Sequence, residues 1–377
     1  MSGVRDARLR IARCFRTRTT GGYVARLCSP KFRKAKNQKT YSRVIVYHDE
    51  TKKIENTNLY GHILLFIPAY LKIEKYGTLF EDIVEDYRPV IEFYEKVVEI
   101  RKKYGANHKF HFNRIPRSGK WTKYNQCEKE FVELGIDALK TKRNSIFTHP
   151  LFFKMAIIFY PLSTLNMYGG DKKEKRLRYH ETLFRMLLKG AIHYLYDEQN
   201  HVEILKIISD GKPYHRKLSE DRILWKLIID DFIGEHPLRE YVTISPNCEI
   251  IHQSSNHKDF NEDTEEYIHA HMLQLSDMLL GCVIHSCYKG LRIQKSPPFI
   301  GQEVKDKRGI IVLPVKDMLD KRKRGRNFKY SSHYKSFSLS LASLRNGSWN
   351  FENIMTKTIK IVPDAKQLTL SNILKGD

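Results

Sequence analysis

The sequence predicts an α/β fold, and three observations predict it. Short apolar runs rich in β-branched and aromatic residues alternate with longer stretches whose apolar positions recur every three or four residues. The short runs are apolar at consecutive positions, which suits strands buried on both faces. Strands alternating with helices imply a sheet covered by helices on both sides.

Val44 to Tyr47 is the first such run, ending in His48-Asp49-Glu50-Thr51. Leu59 to Ile67 reads as a second strand, stopped by Pro68. Residues 78–104 carry helical spacing at Leu79, Ile83, Val90, Phe93, Val97 and Ile100, with Pro89 expected to kink or divide the helix. Residues 108–115 alternate like a third strand. Glu128 to Lys142 reads as a helix, Phe152 to Tyr160 as a buried strand, and Lys173 to Tyr196 as a long helix. Glu203 to Ser209 is a strand running into Asp210-Gly211, a turn signature. A helix over Ser219 to Ile233, capped by Ser219, precedes two short strands around Pro246-Asn247 and a last helix from Thr264 to Tyr288. Past residue 290 the texture changes, with Pro297-Pro298 and then the run Lys321-Arg322-Lys323-Arg324-Gly325-Arg326. The expected organisation is a flexible basic arm over 1–42, an α/β domain over 43–290 with a helical insertion at about 70–105, and an appended basic segment over 291–377.

Charge narrows the function. The 377 residues hold 66 Lys and Arg against 43 Asp and Glu, a formal net charge of +23. Such an excess repels itself in the compact state unless a polyanion offsets it, and nucleic acid is the commonest such partner. Residues 1–43 alone carry thirteen Lys or Arg against the single acid Asp6. An acidic membrane surface is the second commonest such partner, and no apolar run reaches membrane-spanning length. The six cysteines show no Cys-x-x-Cys or zinc-finger spacing, which points to reduced thiols and a cytoplasmic setting.

Three acidic positions share one structural address. Asp49 and Glu50 sit where the first buried strand ends, and Asp210 where a later one ends. Ligands of open α/β sheets gather at the carboxyl ends of strands, so these acids converge if their strands are adjacent and parallel. Asp277 lies at the margin of the apolar stripe of the last helix, where an isolated carboxylate is costly without a partner or a metal. Taken singly, each is also an ordinary turn or surface acid. Together they suit two-metal phosphodiester hydrolysis, because hard Mg²⁺ or Mn²⁺ ions take oxygen ligands and leave room for water and phosphate.

The motifs Val44-Ile45-Val46-Tyr47-His48-Asp49-Glu50-Thr51, Ile207-Ile208-Ser209-Asp210 and Leu273-Gln274-Leu275-Ser276-Asp277 appear here in that order. In this the chain resembles a widespread prokaryotic RNase H-like family of unknown function. Its members open with a hydrophobic strand ending Asp-Glu-Ser or Asp-Glu-Thr and close with a helix reading Leu-Gln-Leu-Ala-Asp. The resemblance spans about residues 43–287 and departs from the family at Ser276 and at Lys52-Lys53. It implies an RNase H-like mixed sheet flanked by helices, with Asp49, Asp210 and Asp277 as metal ligands and Glu50 assisting catalysis. It also implies an endonuclease of a phage-defence or mobile-element setting.

Lys109, His111, Arg114, Arg117, Lys120 and Lys123 interleave with Phe110, Phe112, Trp121 and Tyr124, a pattern suited to phosphate contact and base stacking. Lys321, Arg322, Lys323, Arg324 and Arg326 read as a solvated loop that holds a nucleic-acid backbone through charge alone. A non-catalytic nucleic-acid-binding module and an integrase-like or resolvase-like strand transferase stay open on the same fold, as do a protein partner and self-association.

Overall fold

The computed structural model describes residues 38–51, 54, 57, 59–76, 82–140, 146–147, 149–161, 171–210, 221–228, 238–288, 298–324, 336–345 and 348–353. The described residues from Lys39 onward form one compact unit. Its strands are β1 (Gln38–Thr51), β2 (Leu59–Tyr76), β3 (Asp82–Tyr87), β4 (Gly119–Lys120), β5 (Lys154–Pro161), β6 (Asn200–Asp210), β7 (Val242–Ile244), β8 (Ile250–Gln253), β9 (Glu303–Val304), β10 (Phe337–Arg345) and β11 (Ser348–Asn353). Its helices are α1 (Pro89–Tyr104), α2 (Lys123–Ala138), α3 (Lys172–Leu195), α4 (Glu265–Tyr288) and α5 (Lys307–Arg324).

The fold is α/β, with a mixed sheet among the described residues ordered β11-β10-β5-β2-β1-β6-β7. β3 pairs with β2, and β8 continues the β6 edge beyond β7. β1 and β6 run parallel, β6 runs parallel to both β7 and β8, and β2 runs antiparallel to β5. The β1–β6 register sets His48 opposite Ser209. Asp49 and Asp210, one residue further on, therefore lie side by side on neighbouring parallel strands, Asp210 at the end of β6 and Asp49 two residues before the end of β1.

Successive strand residues face opposite sides of a sheet, and here both sides are packed. Val44 and Val46 of β1 join Tyr60, Leu64, Ala156 and Ile158 against Tyr179, Leu183 and Phe184 of α3. Ile45 and Tyr47 join Ile63, Leu65 and Ile157 on the opposite face, against helices that contribute Phe93, Phe131, Leu275, Leu279 and Ile311. Consecutive burial of Val44 to Tyr47 is thus the trace of a central strand covered on both sides.

Several expectations are corrected. β1 begins at Gln38, so residues 38–42 are strand and not part of a flexible arm. β2 runs through Pro68, which falls between the ladder to β5, ending at Phe66, and the ladder to β3, starting at Leu71. A missing N–H matters least in such a gap. The helix expected over 78–104 begins only at Pro89 and follows β3; proline occupies its first turn, where the backbone N–H has no helical acceptor. Residues 108–115 are not a strand but an irregular segment containing a 3₁₀ turn over Phe112–Arg114. Two of its backbone amides bond to side chains of α4. α2 starts earlier than expected, at a capping box between Thr122 and Asn125. The segment 221–225 is π-helical, and Ser219, its expected cap, lies outside the described residues. Among the described residues past 290 there is no separate appendage, because α5 packs on α2 and α4 while β10 pairs in parallel with β5.

One contact ties the irregular segment to α4. Gly281 lies against Phe112, and a Cβ there would collide with the base of the Phe112 ring. Gly281→Val is expected to destabilise the protein by about 1–3 kcal/mol, the usual cost of overpacking, as measured by urea unfolding. An unchanged midpoint would show that this contact is not tight.

Candidate active site

Three of the four expected acids lie near the carboxyl ends of β1 and β6, where Asp210 and Asp277 are close enough to act on Asp49 through their charges. Asp49 is 8% exposed. Burial, then the charges of Asp277 and Asp210, push its carboxyl well above the usual carboxylate range. The amide of Glu50 donates to Asp49 Oδ1 at 2.8 Å and works weakly in the opposite sense. A carboxylate this buried among like charges is the setting in which a divalent cation gives the largest relief.

Each partner acid is held by its own donors. Asp277 Oδ2 accepts from the Phe112 amide at 2.8 Å and lies 2.8 Å from His111 Nδ1. Asp210 accepts from the Ser255 amide at 3.3 Å and from its hydroxyl at 2.6 Å. Lys109 Nζ in turn donates to that hydroxyl. The pairing of β8 with β6 reaches Asp210, opposite Gln253, and this register delivers Ser255 to the site. Lys109 and His111 thus stand within the acidic cluster rather than on a separate phosphate-binding strand.

Gln274 organises the loops around these acids, a role the sequence reading missed. It is fully buried one turn before Asp277. Its carbonyl oxygen accepts from Arg101 Nη2 at 2.7 Å and from the Phe110 amide at 3.0 Å. Its amide nitrogen donates to the Ser255 carbonyl at 2.8 Å. One side chain therefore fixes both the 106–112 segment and the 253–257 loop. The Arg101 guanidinium sits 3.9 Å over the Phe110 ring, and burial brings it down to about 10. Sequence offers one signal for Gln274: an amide in the middle of an otherwise apolar helical stripe needs buried partners.

Glu50 departs from the expected arrangement. Strand alternation sends it to the α3 face, away from the three aspartates. There its Oε2 is 4.0 Å from His180 Nδ1. Among the described residues, the set of three whose ligand atoms all lie within 4.8 Å of one another is Glu50, His62 and His180. The aspartates form a wider cluster on the other face.

The remaining basic residues divide. Arg114, Arg117, Lys120 and Lys123 are exposed along the segment leaving His111. Lys123 lies over the half-exposed Tyr124 ring, 5.3 Å from its centroid. Lys321, Arg322, Lys323 and Arg324 belong to the last turns of α5 and are helix, not loop; Arg326 lies outside the described residues. Arg308 was not anticipated: it donates to the carbonyls of Ile115 at 2.7 Å and Asn113 at 2.8 Å, pinning the basic segment from α5. Among the described residues no helix is long and apolar enough to cross a membrane. No protein-family model matches the sequence, and no curated protein is significantly similar to it.

The sign of the Asp49 shift gives a test. A carboxyl raised on folding favours the protonated native state, so its stability contribution is full below the ordinary carboxylate range. That contribution is lost as pH rises through the raised value. In metal-free protein, Asp49→Asn is therefore expected to unfold at a higher temperature than wild type at pH 8, with the difference shrinking toward pH 4. A variant less stable than wild type at pH 8 would contradict the crowding of charge at Asp49.

Proposed function

We propose that the protein is a metal-dependent nuclease of the RNase H-like class, cleaving phosphodiester bonds at the Asp49–Asp210–Asp277 cluster. The observation that carries this reading is the parallel register that sets Asp49 beside Asp210 on β1 and β6, with Asp277 of α4 near enough to act on Asp49 through its charge. The strand arrangement supports it. A central β1 lies between an antiparallel-packed β2–β5 side and a parallel β6–β7 side, with α3 between β5 and β6 and with α4 packed on β2 and β6, an arrangement compatible with an RNase H-like sheet. The net charge of +23 supports a nucleic-acid partner. A phage-defence or mobile-element setting rests on the resemblance alone.

The donor set suits Mg²⁺ or Mn²⁺. It is all carboxylate oxygen, and like charge is crowded at its buried member. When bound, two such ions supply charge stabilisation to the attacking and leaving oxygens of the phosphodiester. The chain does the rest. Asp49, Asp210 and Asp277 hold the ions. His111 and the Phe112 amide orient Asp277, while Ser255 and Lys109 orient Asp210. Lys109, Arg114, Arg117, Lys120 and Lys123 neutralise the backbone of a substrate laid along the segment, with Tyr124 offering a face for stacking.

The test incubates the full chain with labelled RNA, single-stranded DNA, duplex DNA and RNA–DNA hybrid, in Mg²⁺, Mn²⁺ or EDTA. Cleavage of at least one substrate is expected with either metal and none in EDTA. Asp277→Asn is expected to lower the rate by roughly a thousandfold, equivalent to about 4 kcal/mol of lost charge stabilisation. Cleavage that survives EDTA or the substitution rules out the two-metal reading. Salt-sensitive binding without cleavage of any substrate would favour a non-catalytic binding module.

A further inference from the structure

A second polar constellation lies on the opposite face of the same strand end, and the acidic cluster does not use it. His62 of β2 and His180 of α3 are 0% and 1% exposed. The Tyr160 hydroxyl of β5 bridges them, 2.9 Å from His62 Nε2 and 2.6 Å from His180 Nδ1. Two imidazoles on different elements therefore aim a ring nitrogen at one point. Glu50 brings a carboxylate to that place, 4.0 Å from His180 Nδ1, with its side chain one-third exposed.

The other nitrogen of His62 is also engaged. His62 Nδ1 lies 2.9 Å from His48 Nε2, and His48 Nδ1 lies 2.8 Å from Ser209 Oγ. A metal-binding histidine ordinarily donates its second N–H to a fixed acceptor, which sets the tautomer and ring orientation. The His48–Ser209 relay suits this role for His62: with Ser209 Oγ accepting from His48 Nδ1 and His48 Nε2 accepting from His62 Nδ1, Nε2 of His62 carries the lone pair. Neutral imidazoles are the form that ligates metal.

We infer that Glu50, His62 and His180 form a second metal site that takes a single borderline transition-metal ion, zinc in the first instance, in place of the hydrogen bonds that the Tyr160 hydroxyl makes to the two nitrogens. Two imidazole nitrogens and one carboxylate oxygen form a donor set that Zn²⁺ accepts and Mg²⁺ disfavours. The ion ties β1, β2 and α3 together one residue from Asp49, on the reverse side of the strand. The inference is independent of the nuclease reading, because it uses none of the three aspartates.

The experiment titrates Zn²⁺ into the untagged full-length chain by calorimetry, counts retained metal by atomic spectroscopy after dialysis, and records the visible spectrum after Co²⁺ substitution. Wild type and Asp277→Asn are both expected to retain one zinc per chain and to give the intense d–d bands of a four-coordinate cobalt with nitrogen ligands. Glu50→Gln, whose side chain is partly exposed, and His180→Ala are each expected to weaken zinc binding by roughly tenfold or more. Absence of stoichiometric zinc in wild type overturns the site. So does unchanged affinity in both Glu50→Gln and His180→Ala, or loss of the zinc in Asp277→Asn.

Discussion

The two-residue period of β1 is the constraint on which the rest of the structure depends. Because successive side chains leave a strand on opposite sides, Asp49 and Glu50 cannot serve one centre. Asp49 joins Asp210 and Asp277 beneath α4, and Glu50 joins His62 and His180 beside α3. The Asp-Glu pair thus faces two chemically distinct environments across a single peptide, one made of hard oxygen donors and one rich in nitrogen. Cores packed against both faces hold that strand end in place, so neither environment can shift without disturbing the other.

α4 is the second organising element. Gln274, Asp277 and Gly281 lie on the part of the helix that meets the 106–115 segment. They hold it in turn by amide hydrogen bonds, by a charge-assisted bond and by close contact with Phe112. A segment with no regular ladder of its own is positioned because its backbone donors find acceptors on a rigid helix. Lys109 and His111 reach the acids through that arrangement.

Much of the fold was legible because buried strands and helices leave strong periodic traces: β5, β6, α3 and α4 fall within a few residues of their expected limits. The adjacency of Asp49 and Asp210 followed from strand ends, and the unease of a carboxylate at an apolar margin pointed to Asp277. What escaped depends on distant partners. Residues 108–115 alternate in sequence, yet their amides bond to side chains about 165 positions away. β2 passes Pro68 because its partner changes there, which no local signal announces. The face of Glu50 was implicit in strand alternation, but the pull of an adjacent acid obscured it. His62 shares its side of β2 with Tyr60 and Leu64, and a histidine in such an apolar strand is the sign that a buried polar network follows.

Anomalous diffraction from crystals of the full chain soaked in Mn²⁺ tests the central claim most directly. Manganese is expected between the carboxylates of Asp49, Asp210 and Asp277, with the Glu50 side chain absent from its coordination sphere. Manganese bound by Glu50 together with Asp49, or no manganese among the three aspartates, would contradict the division of this strand end into two separate centres.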